Sequence, residues 1–171
     1  MADDNLLIIL GNQLFPLEEI KKTGAKKIFM KEDLGLCTDF KHHKLKILFF
    51  LGAMREYKKN LEANGFEVIY FDIDNKEFDT SYLELLKNTL QKNSIDNILH
   101  FEIEDKTFAA KFDKFISSNQ IKSLQIPTPM FLCAREEFKD FFGNKSLRMV
   151  SFYQMMRKKL NVLMENEKPI G

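Results

Sequence analysis

The feature that most constrains this chain is a pure apolar run near its start, Leu6-Leu7-Ile8-Ile9-Leu10, closed at once by Gly11-Asn12. Five consecutive apolar residues leave no polar face, so a strand built from them is buried on both sides and stops at the glycine turn. Such a strand belongs near the middle of a parallel sheet with helices on each face. The remaining residues must supply the other strands and both helical layers.

The pattern downstream does so. A short helix is expected from about Pro16 to Lys22, with Gly24 just past its end, and a second strand over Lys27 to Met30. Glu32 to Lys41 has no periodicity and reads as a long loop. His42 to Ala63 is the strongest helix, with Ile47, Phe50, Leu51, Met54, Tyr57 and Leu61 on one stripe and Gly65 as its stop. Its second stripe, Leu45, Leu48, Phe49 and Gly52, is also apolar, so one side is expected on the sheet and another against a surface outside this chain. Strands at Phe66 to Phe71, Asn97 to Ile103 and Ser123 to Ile126 alternate with helices ending at Lys92 and spanning Lys106 to Asn119. The first of these helices carries Ser81 and Glu84 at capping-box spacing.

Alternation of this kind predicts an α/β fold, a doubly wound five-stranded parallel sheet whose ligands sit at the carboxyl ends of the strands. Beyond Pro127-Thr128-Pro129 the alternation ends. Helices are expected from about Arg135 to Phe142 and from about Leu147 to Met164, the latter with Phe152, Met156, Leu160 and Leu163 on one face. We therefore divide the chain at residue 145, with an α/β domain over 1–145 and a helix over 146–171 that leads toward another domain.

Composition narrows the function. With 171 residues and 44% hydrophobic content the chain can bury a core, which excludes disorder and collagen-like structure. The 26 basic and 25 acidic residues give a net charge of +1 and no global drive toward nucleic acid or anionic lipid. Two cysteines, Cys37 and Cys133, make no disulfide framework, and an acidic start without an export signal fits a cytoplasmic protein. The apolar stretch Ile47 to Met54 is far short of the ~20 residues of a membrane span.

No Gly-rich dinucleotide loop, phosphate-binding P-loop or nucleophile elbow occurs. The strand ends collect Asn12, Glu32, Asp33, Asp72, Asp74, Glu104 and Asp105, a rim that repels phosphate and can accept hydrogen bonds from hydroxyls or ring N–H groups. A neutral polyol or heterocycle suits it better than a nucleotide, although such carboxylates also serve as helix caps. Cys37, His42 and His43 do not make a metal site, because adjacent helical residues point about 100° apart. Lys41, His42, His43, Lys44 and Lys46 form a local basic cluster at a helix start, most simply a solvated face.

Several stretches in order resemble one family. Leu10-Gly11-Asn12-Gln13-Leu14, Phe29-Met30-Lys31-Glu32-Asp33 with Leu36-Cys37, His42-His43-Lys44 leading to Ala53-Met54-Arg55, and Phe152-Tyr153 with Met156-Arg157, Leu163-Met164 and Pro169-Ile170-Gly171 are similar to the amino-terminal region of the deoxyribodipyrimidine photolyase-related family. These are bacterial iron-sulfur cryptochromes and photolyases, also called prokaryotic (6-4) photolyases. The resemblance implies strand order 3-2-1-4-5 and a light-harvesting module of a DNA-repair flavoprotein.

On that resemblance the antenna is a ribityllumazine, and the matching positions are Gly11, Asn12, Glu32 and Phe50. Asn12 stands where the family usually has Asp. FAD, the iron-sulfur cluster and the lesion pocket for damaged DNA belong to a helical domain that this chain lacks. The isolated chain is accordingly expected to repair no DNA and to bind neither FAD nor a cluster. The alternatives are a stand-alone α/β nucleotide-binding enzyme and a non-catalytic interaction module.

Overall fold

The computed structural model describes residues 5–33, 35, 38, 41–143, 146, 148–165 and 168–170. The chain divides into two compact units, 1–130 and 131–171.

In the first unit, strands β1 (Asn5–Ile8), β2 (Lys27–Lys31), β3 (Glu67–Phe71), β4 (Asn97–Phe101) and β5 (Lys122–Ile126) form one parallel sheet in the order β3-β2-β1-β4-β5. The expected fold class and order hold, with the apolar run in the centre. Helix α1 (Leu17–Lys22) and the long α2 (Lys44–Ala63) cover one face, and α3 (Tyr82–Lys92) and α4 (Lys106–Asn119) the other.

The two-residue period of a strand explains why the run must be apolar throughout. Leu7 and Ile9 point into a core with Ile28, Met30, Leu51, Met54 and Leu61, whereas Leu6 and Ile8 point into a second core with Phe29, Leu86, Leu90, Ile98 and Phe112. Leu6, Leu7, Ile8 and Ile9 are at most 1% exposed. Each such side chain contributes about 1.5–3 kcal/mol relative to exposure.

Element ends differ from expectation where turns intervene. β1 closes at Ile8, two residues early, because the chain bends into a turn in which Gln13 N–H donates to the Leu10 carbonyl (2.8 Å). β4 likewise ends at Phe101 instead of Ile103. α2 begins at Lys44, since His43 acts as its cap, with Nδ1 accepting from Leu45 N–H (3.2 Å). Ser81 caps α3 by accepting from Glu84 N–H (3.3 Å), which is half of the anticipated capping box. Of the expected loop after β2, Leu34, Leu36, Cys37, Asp39 and Phe40 lie outside the described residues.

The second unit holds α5 (Arg135–Phe142) and α6 (Met149–Leu160), joined by a cluster of Phe138, Phe141, Phe142 and Phe152 rings. α6 is four residues shorter at its carboxyl end than the sequence suggests. Asn161 adopts a left-handed conformation (φ 51°) that stops it, so Leu163 is not on the helical face. Met164–Glu165 (β6) and Lys168–Pro169 (β7) pair as a short antiparallel ribbon that periodicity did not reveal. Arg157 donates to the carbonyls of Val162, Leu163 and Ile170, holding this ribbon to the last turn of α6.

Candidate functional site

The carboxyl end of the sheet carries the polar groups that the sequence placed there, but most of them are already engaged by other parts of the chain. Glu32, one residue past β2, is fully buried. Its Oε1 accepts from Arg55 Nε (2.6 Å) and Tyr70 Oη (2.8 Å), and its Oε2 from Arg55 Nη2 (3.0 Å) and the Ile73 N–H (2.9 Å). Four donors fill the acceptor capacity of a carboxylate. Burial opposes its charge, yet the Arg55, Tyr70 and Ile73 hydrogen bonds outweigh that and hold its pKa below the ordinary value. Arg55 is raised in turn, chiefly by Glu32, and Tyr70 is raised by burial and by its bond to Glu32.

Gly11 and Phe50, two further predicted positions, are brought together. A Cβ on Gly11 would lie 2.5 Å from Phe50 Cε1 and 2.9 Å from Met54 Sδ, so the bare backbone at the end of β1 is what lets α2 pack this closely. Phe50 is half-buried against the core, and Asn12, next in the turn, is exposed.

Three residues that the sequence did not single out complete this end of the sheet. Lys31, 3% exposed, donates to the Phe78 carbonyl (3.1 Å), lies over the Phe78 ring and pairs with Asp33 (3.5 Å). Gln13, 1% exposed, donates to the Glu102 carbonyl (2.9 Å) and to Glu104 (3.3 Å), which also accepts from Thr128 (2.8 Å). These bonds tie the β1 turn to the ends of β4 and β5. Tyr82 is packed edge-on against Phe29 and Phe108, and its hydroxyl is buried without a partner among the described residues. A charged residue just inside or beyond a strand end is the signal that Lys31 offered.

Among the described residues no group of three His, Cys, Asp or Glu side chains could hold a metal ion, and no helix is long and apolar enough to cross a membrane. Cys133, in the second unit, has its thiol pushed up by burial and by Glu137, the reverse of an activated nucleophile.

Comparison with known proteins places the chain. It is 31% identical to a (6-4) photolyase of Agrobacterium fabrum over 170 residues, which cover 97% of this chain but only 34% of the photolyase. It is 26% identical over 179 residues to an uncharacterized protein of Acanthamoeba polyphaga mimivirus, covering 98% of this chain and 88% of that protein. The family model described as deoxyribodipyrimidine photo-lyase-related protein matches residues 7–171, and the chain belongs to that family.

Proposed function

We propose that this chain is the light-harvesting module of a photolyase-type flavoprotein, which holds a blue-absorbing ribityllumazine and passes its excitation to a flavin in a helical part outside these 171 residues. The observation that carries this reading is the family match over residues 7–171 on a parallel sheet in the order 3-2-1-4-5, together with a span of 34% of the (6-4) photolyase. Repair of pyrimidine photoproducts, FAD and the iron-sulfur cluster would belong to that other part.

The residues suit a neutral hydroxylated heterocycle in kind. The exposed Asn12 amide can donate and accept, 42% of the Arg55 side chain is exposed, and Phe50 offers an apolar edge. Gly11 keeps the backbone at the turn uncovered by a side chain of its own. Glu32, with its acceptors filled, serves by fixing Arg55 and Tyr70. The pigment would supply absorption and energy transfer, and the protein would make no bonds.

Titration of the purified chain with a ribityllumazine, followed by pigment fluorescence, tests the reading. Saturable binding that weakens in Glu32→Ala and changes in Phe50→Trp is expected. Absence of binding, or equal affinity in both variants, overturns it. A second reading, an interaction module without pigment, is favoured by the apolar outer stripe of α2 and would be supported by a chain that never binds lumazine.

A further inference from the structure

We draw no further inference here: the strongest candidate, the exposed apolar stripe of Leu45, Leu48 and Phe49 on the outer side of α2, carries none because nothing among the described residues shows what covers it.

Discussion

Arg55 grips Glu32 with two nitrogens, 2.6 and 3.0 Å from the two carboxylate oxygens, across the gap between α2 and the end of β2. The two ends of the bond differ in setting. Glu32 is fully buried, whereas 42% of the Arg55 side chain is exposed. Removing the arginine therefore strands a buried charge, while removing the carboxylate leaves a cation that water can reach.

Arg55→Met should destabilise the chain by about 1–3 kcal/mol at neutral pH, the cost of leaving the buried carboxylate with only the Tyr70 and Ile73 donors. The pH dependence has a definite sign. Because the folded-state pKa of Glu32 is depressed, its stabilisation is present above the ordinary carboxylate value and is lost as pH falls through the lower folded value. Without Arg55 the folded-state pKa of Glu32 rises and protonation relieves the stranded charge, so urea midpoints measured from pH 7 to pH 3 should fall less than in the wild type and the two proteins should converge toward low pH. Curves of equal shape would show that Arg55 does not set the ionisation of Glu32.

Tyr82→Phe should raise stability by about 1 kcal/mol, since it deletes a buried hydroxyl that makes no hydrogen bond among the described residues and keeps the ring contacts with Phe29 and Phe108. A thermal midpoint that drops on substitution would mean the hydroxyl is bonded in solution.

Gly11→Ala should cost about 1–3 kcal/mol, because the new methyl group meets Phe50 and Met54 inside van der Waals distance. Phe50→Leu in the same chain should recover part of that loss. A double-mutant cycle in chemical denaturation reads the coupling, and strict additivity would show that the two residues do not touch.

The sheet was legible because its signals are local. Leu6 to Ile9 declare a doubly buried strand, and the Phe108, Phe112, Phe115 and Ile116 spacing places α4 at its observed bounds, Lys106–Asn119. The outer stripe of α2 was also visible as a second apolar face. Less visible were features that depend on one backbone angle or on a distant partner. Asn161 ends α6 through a left-handed turn that a polar residue adopts only at some positions. Glu32 was recognised as a strand-end carboxylate, but its partners come from a helix 23 residues on and from a neighbouring strand, and spacing along the chain does not encode that meeting. Gln13 looked like an ordinary turn residue until β4 was set beside it.

Lys31 and Glu32 are neighbours in sequence, yet one ties the segment after β3 through Phe78 and the other ties α2 through Arg55. Successive residues at a strand end face opposite layers, so a slip of β2 by a single residue would turn each toward the other's layer. A slip one way would bring the Lys31 ammonium toward Arg55, and a slip the other way would bring the Glu32 carboxylate toward the Phe78 carbonyl. Misalignment of this strand in either direction thus meets electrostatic repulsion.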